Sequence, residues 1–279
     1  VFKAMVPATM GAVILTTANA VKASIGTPLD AHVDYAQALA MTIPDMLRQA
    51  ARDPKLVQPL LFALILPEDS THDSVLKKIT INHVVDEQKI LSIKELLKDM
   101  PRACDLPLLD LTLPVFAELP KERKRAIYDN FVQIVPLLKS TPFHFAMLIL
   151  LKKRVEQVAV KQFRDLKDIL PELNFILTIL IQSSHQSMEE QKVCFQTIMS
   201  DLKQAKKVFE PLNKYTFDQY AKALQKLDEL APIEKEKVVN AFIECVTYDG
   251  QVLVEEAEVL RAILEAMGCP IPPLLSRES

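Results

Sequence analysis

Apolar residues recur at helical spacing along most of the chain, and each apolar run follows a capping residue or a proline. Thr141 and Pro142 precede a run that continues to about Val155, and Gly268 follows the last run as a glycine after a helix C-terminus does. The pattern predicts an all-α protein, a multi-helix array with short connections. The predicted helix starts are Asp30, Asp53, Asp73 or Ser74, Asp86, Pro107, Pro120, Thr141, Pro171, Ser187, Thr216, Pro232 and Val254.

The pattern also predicts where three elements end. The helix that follows Pro120 is expected to run through Leu138, and the helix that follows Ser187 is expected to reach about Phe209. Residues Val158–Leu166 alternate weakly between apolar and polar side chains, which indicates a short extended link.

A faint internal repeat accompanies this pattern. A shift of 111 positions pairs Leu119 with Leu230 and Phe131 with Phe242. The likeness predicts two related helical subdomains, residues 30–157 and 158–279, after an apolar N-terminal arm of residues 1–29. Because any two sets of amphipathic helices align to some extent, coincidence remains the alternative. The other pairs are Leu113 with Leu224, Glu118 with Glu229, Ala146 with Ala257 and Ile149 with Leu260.

The composition narrows the function classes. The 279 residues are 49% hydrophobic and carry 33 Lys and Arg against 36 Asp and Glu, a net charge of -3, so no nucleic-acid partner is expected. Only Gly11, Gly26, Gly250 and Gly268 are glycine, which excludes a glycine-rich phosphate-binding loop. Residue types and spacings alone indicate no enzyme chemistry.

The four cysteines, Cys104, Cys194, Cys245 and Cys269, form no CxxC pair. In a chain long enough for a large core they are predicted to be buried free thiols in a reducing compartment. Two disulfides in an oxidising compartment remain the alternative.

The first twenty residues superficially resemble a signal peptide, but Pro7 and Gly11 interrupt them, and a start at Val1 indicates a processed fragment. This stretch and the apolar runs 143–151 and 175–181 fall short of the roughly 20 residues that span a bilayer, so the chain is predicted to be soluble. The apolar arm is expected to pack on this protein or on a missing neighbour.

The strongest turn signal is Tyr248-Asp249-Gly250, followed by an acidic segment with Glu255, Glu256 and Glu258. Asp249, Gly250, Val252 and Glu256 match the fifth, sixth, eighth and twelfth positions of an EF-hand loop, but Cys245 and Thr247 occupy its first and third. Asp249, Glu255, Glu256 and Glu258 are therefore weak metal candidates, and a turn before an acidic first helical turn is the simpler interpretation.

Other candidate groups lack a full ligand set or triad. His83 and Glu87 are four residues apart and share a helix face, without an evident third ligand. Ser70, His72, Asp73 and Ser74 cluster in one loop, and His32, His144 and His185 lie singly among helices. The basic runs 121–125, 152–154 and 203–207 are expected to be solvated faces, with anionic headgroups as a minor alternative.

Three parts of the chain carry a resemblance to a known family: residues 24–54, residues 106–120, and the C-terminal segments 249–252, 256–262 and 268–274. They resemble bacterial membrane-bound zinc metallopeptidases of the HtpX-like and CAAX-prenyl-protease-like kind. The region from Ser24 to Pro54 is similar to the part that follows their catalytic domain, and Leu106–Pro120 is similar to their LPLLDLALPALRQLSP-type segment. Asp249–Val252, Glu256–Ala262 and Gly268–Leu274 resemble the tellurite-resistance TerB-like helical module at their C-terminus.

The resemblance implies a non-catalytic accessory or protein-interaction region. Zinc and the HExxH motif would belong to an upstream protease domain, and this sequence contains no HExxH, so no catalytic, cofactor or metal residue carries over. The parent would lie in the bacterial inner membrane through segments outside this sequence, with this region on the cytoplasmic side and the protease domain or another protein as partner. Alternatives are a TerB-like metal- or anion-sensing module and an enzyme with a site around His72 or His83.

Overall fold

The computed structural model describes residues 13–25, 28–66, 76–77, 86–138, 141–156, 164–183, 187–204 and 206–274. The protein is all-α, as predicted, apart from two three-residue strands in the described part. The strands are β1 (Val13–Leu15) and β2 (Gln251–Leu253). The helices are α1 (Ala18–Ala23), α2 (Asp30–Thr42), α3 (Asp45–Arg52), α4 (Val57–Ile65), α5 (Glu87–Lys98), α6 (Asp105–Glu118), α7 (Lys121–Ile134), α8 (Pro142–Val155), α9 (Leu170–Ser183), α10 (Met188–Asp201), α11 (Phe217–Asp228), α12 (Pro232–Val246) and α13 (Val254–Ala266).

Side-chain caps fix several of these helix starts, as the sequence predicts. The Asp86 carboxylate accepts a hydrogen bond from Lys89 N at 3.2 Å and opens α5. Thr141, Ser187 and Thr216 open α8, α10 and α11 with reciprocal capping boxes, in which the third helical residue bonds back to the cap. Each cap satisfies backbone N–H groups that a helix start otherwise leaves without partners.

Two helices end earlier than the apolar pattern predicts. Helix α7 stops at Ile134 and gives way to a 3-10 turn at Val135–Leu137, because Pro136 has no N–H to donate and its ring clashes with the carbonyl one turn earlier. Helix α10 stops at Asp201, not near Phe209. Lys203 then takes a left-handed conformation with φ 57°, in which the chain leaves the helix axis.

The chain divides into two compact units, one of Val1–Ala36 with Ala159–Ser279 and the other of Gln37–Val158. The subdomain boundaries proposed from the sequence stay a prediction. The predicted helix from Asp73 or Ser74 and the predicted link 158–166 lie mostly outside the described residues. At the end of that link, Arg164 makes a parallel bridge to Leu230, with Arg164 N donating to Glu229 O at 2.9 Å.

In the unit of residues 37–158, α4 forms the centre and packs against α3, α5 and α6. All eight residues of α4 other than Gln58 are buried, since the helix is apolar around its whole circumference. The Phe62 ring stacks on Phe131 of α7, with 4.5 Å between the ring centroids. This apolar packing is the main stabilising contribution to the unit.

In the other unit, α13 is the most buried helix, with 11 of its 13 residues inside, and it packs against α9, α11, α12 and β2. Strand β1 pairs antiparallel with β2, with Ile14 opposite Val252, and Lys22 of α1 forms an ion pair with Glu244 of α12. Residues 13–25 of the apolar arm therefore pack on this unit. The sequence did not predict the strands, because three residues are too few for a period-2 pattern to stand out.

No helix in the described ranges combines the length and the apolar character needed to cross a membrane.

Candidate functional site: the acidic turn before the last helix

The predicted turn connects α12 to β2 and α13. Gly250 adopts φ +76°, which favours glycine, and the Asp249 carboxylate accepts a hydrogen bond from Gln251 N at 2.9 Å. Thr16 N, just after β1, donates to Gly250 O at 3.3 Å. The glycine and the aspartate thus shape the turn so that β2 can meet β1.

Two of the acidic candidates bond within α13 and its start. The Glu256 carboxylate accepts a hydrogen bond from Leu253 N at 2.9 Å and so caps the helix. Leu253 has no side-chain acceptor to bond back, so only half of a capping box exists here. The Glu258 carboxylate is paired with the Arg261 guanidinium at 2.7 Å, and both side chains are about nine-tenths buried.

This arrangement differs from a calcium loop. The residue in its first position, Cys245, is a buried thiol, and the Thr247 hydroxyl in its third position donates to Ile243 O at 2.8 Å. Within the described ranges, no three His, Cys, Asp or Glu side chains converge as a metal site would require. The geometry around Asp249, Glu255, Glu256 and Glu258 therefore builds a helix start, with two acids matched to the positive end of the helix dipole.

The opposite end of α13 carries a charged pair that the sequence did not reveal. Lys235 Nζ of α12 donates to Asp228 of α11 at 2.7 Å and to Met267 O at 3.0 Å, where α13 ends. Both side chains are largely buried, and the ammonium faces the negative end of the helix dipole. The signal for such a contact is weak because the three residues come from separate elements.

The two histidine candidates within the described residues, His32 and His144, make different hydrogen bonds. His32 is buried, its Nδ1 accepts a hydrogen bond from Leu29 N at 3.1 Å, and burial lowers its pKa. His144 Nδ1 accepts a hydrogen bond from Thr141 N at 3.0 Å, inside the capping box of α8. Burial, with the positive charges of Arg102 and Lys94, lowers the pKa of His144 to about 4. The sequence predicted the Thr141 cap but not that His144 bonds back to it. The spacing of three residues between Thr141 and His144 is the signal that could have indicated this capping box.

Other proposed groups lie outside the described residues: His83, His185 and the cluster Ser70, His72, Asp73 and Ser74. Glu87 is exposed at the first position of α5.

The basic run at the start of α7 is solvated for the most part, as expected. Lys121, Arg123 and Arg125 are exposed, and Arg125 forms an ion pair with Asp129 one turn later at 3.0 Å. The run at the end of α8 faces the negative end of that helix dipole, with Lys152 3.8 Å from Glu156. These cations have local structural partners.

The sequence also did not predict a small basic cleft in the unit of residues 37–158. Lys94, Lys98 and Arg102 line it with apolar side chains and Asp105. Lys94 Nζ donates to Leu66 O at 2.5 Å, and Arg102 lies 3.3 Å from the Asp105 carboxylate. Lys98 Nζ lies 2.6 Å from the Glu95 carboxylate, so each of the three cations that line the cleft has a partner within the chain.

The cysteines are free thiols, and Cys104, Cys194 and Cys245 are buried as predicted, whereas Cys269 is only half-buried. Comparison with protein-family models, with curated proteins and with solved structures finds no match to this chain.

Proposed function

We propose that this chain is a non-catalytic, helical accessory region of a membrane-anchored zinc metallopeptidase, with a TerB-like C-terminal half that provides a protein-binding scaffold. Proteolysis and zinc belong to an upstream domain, and the partner is that domain. The observation that carries the proposal is that the carboxylates after the Asp249 turn bond to groups of this same chain. Glu256 caps α13, Glu258 pairs with Arg261, and the helix they begin is the most buried in its unit.

The repeat found in the sequence supports the proposed pair of related helical subdomains. Shifting α6, α7 and α8 by 111 positions places each of their ends within one residue of the ends of α11, α12 and α13. Five of the six residue pairs that suggested the repeat are apolar and buried in both copies, Phe131 and Phe242 among them. Matching helix boundaries and matching buried positions are what a duplicated helical unit would produce.

A partner surface is available at the start of α2. Ile25, Leu29 and Val33 are large apolar side chains that are 38%, 51% and 46% exposed, spaced four residues apart. Leu29 and Val33 lie one helical turn apart, so they form an apolar stripe that a partner helix or strand could cover. We assign this stripe to contact with the parent protease domain.

The first test reads the gene upstream of the Val1 codon. The proposal expects one continuous frame that encodes an HExxH motif and membrane-spanning segments. A frame that contains neither would refute the assignment to this class of protein.

The second test measures binding between the purified chain and the purified upstream domain. Val33→Glu places a charge on the stripe and should weaken binding at least tenfold, since a buried unpaired charge is costly. Val208→Glu is the matched control, because Val208 is also exposed, at 71%, but is distant in sequence from the stripe. Equal loss in both variants, or no loss in either, would contradict the assignment of the stripe.

The third test addresses activity and ion binding in the same preparation. Incubation with zinc and a peptide library should give no cleavage, and robust proteolysis would overturn the accessory role. Calorimetric titration with calcium, zinc or oxyanions should give no binding heat. A heat that disappears in Asp249→Ala would instead support the ion-sensing alternative.

A further inference from the structure

The apolar stripe at the start of α2 has the spacing of a helix–helix seam. Leu29 and Val33 are 51% and 46% exposed and lie four positions apart, and Ala36 follows after three more positions and is also exposed. Alternating steps of four and three keep side chains on one line of a helix surface, along which a second helix packs. The seam covers about two helical turns, so it fits a helix of at least that length.

An acidic edge runs along this stripe. Asp30 and Asp34 each follow a stripe residue by one position, so each lies about 100° around the helix axis from that residue, and the two are about 6 Å apart along the axis. Both are exposed, and neither forms an ion pair within the part of the chain that the structure describes. Asp30 matches the positive end of the helix dipole, but Asp34 lies beyond the first turn, where this effect has faded. The helix start alone therefore does not account for the acidic edge.

Neighbouring cations along the chain do not neutralise this edge. The sequence has no Lys or Arg between Lys22 and Arg48. Lys22 forms an ion pair with Glu244 of α12. Arg48 forms an ion pair with Asp45 of its own helix. The stripe thus presents an apolar surface with negative charge along one edge, and its complement is an apolar surface with positive charge along one edge.

We propose that the stripe binds an amphipathic helix that carries a row of Lys or Arg beside its apolar face. This inference rests on the proposed function and deepens it, because the helix belongs to the upstream protease domain. Burial of Leu29 and Val33 removes apolar surface from water and supplies affinity. The acidic edge fixes the orientation of the bound helix and speeds association.

The same charges oppose two other occupants. A second copy of this chain, paired through the stripe about a two-fold axis, would bring both acidic edges into one interface, where like charges oppose association. A surface of anionic lipid would be repelled by Asp30 and Asp34. We therefore expect neither a dimer through the stripe nor binding of the stripe to anionic vesicles.

The first experiment uses a probe of the proposed chemistry. Two fluorescein-labelled amphipathic helices of about 18 residues, one of Leu and Lys and one of Leu and Glu, are titrated with the full chain, and fluorescence anisotropy reports binding. The Leu–Lys peptide should bind at least tenfold more tightly than the Leu–Glu peptide. Its affinity should fall about three- to tenfold between about 50 and about 300 mM salt, because salt screens exposed charges.

Variants separate the stripe from its acidic edge. Val33→Ser should weaken binding of the Leu–Lys peptide about fivefold, since less apolar surface is buried. The double variant Asp30→Asn with Asp34→Asn should weaken it about three- to tenfold and flatten its salt dependence. The matched control is Asp201→Asn with Glu210→Gln, which removes the same charge from exposed positions distant in sequence and should change the affinity less than about twofold.

The same variants, tested with the purified upstream domain, distinguish this inference from the proposed function. Binding of that domain that depends on Val33 but not on Asp30, Asp34 or salt would overturn the basic helix and leave the accessory role intact. Binding of the Leu–Lys peptide through both the stripe and its acidic edge, without binding of the upstream domain, would contradict the proposed function alone.

Four other results would overturn the inference. They are equal affinity for the two peptides, an equal loss in the control and in the Asp30→Asn, Asp34→Asn variant, a dimer of the chain that Val33→Ser dissociates, and binding to anionic vesicles that Val33→Ser abolishes. Thermal unfolding of each variant checks that the substitution leaves the fold intact.

Discussion

His144 couples the stability of α8 to pH. Its Nδ1 accepts the Thr141 N–H in the capping box, so the ring must be neutral for the bond to form. Burial, with Arg102 and Lys94 nearby, lowers the pKa of His144 to about 4 in the folded chain, while the unfolded chain keeps about 6.5. Lowering the pH protonates the unfolded chain first and shifts the equilibrium toward unfolding.

The size of this effect follows from the two pKa values. The contribution of His144 is complete above pH 6.5, falls as the pH drops from 6.5 to 4, and is constant below 4, where both states are protonated. Between pH 6.5 and pH 4 the loss of this contribution lowers the free energy of unfolding by about 3 kcal/mol.

A substitution isolates this contribution. His144→Gln keeps an acceptor at the third helical position and removes the titration, and the chain already uses Gln219 in this way in the capping box of α11. Urea unfolding from pH 7 to pH 4 should show the wild type losing about 3 kcal/mol more than the variant. His32 and the carboxylates titrate in both proteins and cancel in the difference. Parallel pH profiles, or an NMR pKa near 6.5 for His144, would refute the reasoning.

Three further outcomes are expected from unfolding measurements at pH 7. Glu256→Gln should keep the cap of α13, whereas Glu256→Ala should cost about 1 kcal/mol; equal losses would mean that the charge matters rather than the hydrogen bond. Gly250→Ala and Gly268→Ala should each cost about 1–2 kcal/mol, because both glycines have positive φ, which strains any residue with a Cβ; an unchanged stability in both variants would contradict this. Lys235→Met should cost about 3–5 kcal/mol by leaving Asp228 without its cationic partner, and adding Asp228→Asn should recover part of the loss; an unchanged stability would show that the pair is not coupled.

The sequence alone was sufficient for the class of fold and for most helix starts. Thr141, Ser187 and Thr216 cap helices through bonds to residues three positions away, and such contacts depend only on the local chain. The same holds for Gly268, whose φ of +74° follows from its place after a helix end.

Tertiary structure alone decided which side chains of the interior meet. Lys235 of α12 meets both Asp228 of α11 and the carbonyl oxygen at the end of α13. The period of an amphipathic helix states which face is buried but not which neighbour covers it, because burial is nondirectional and roughly proportional to area. The acidic segment shows the difference. Glu256 bonds Leu253 N and Glu258 pairs with Arg261, both across three positions that local spacing permits, and only the packing around α13 buries the Glu258–Arg261 pair.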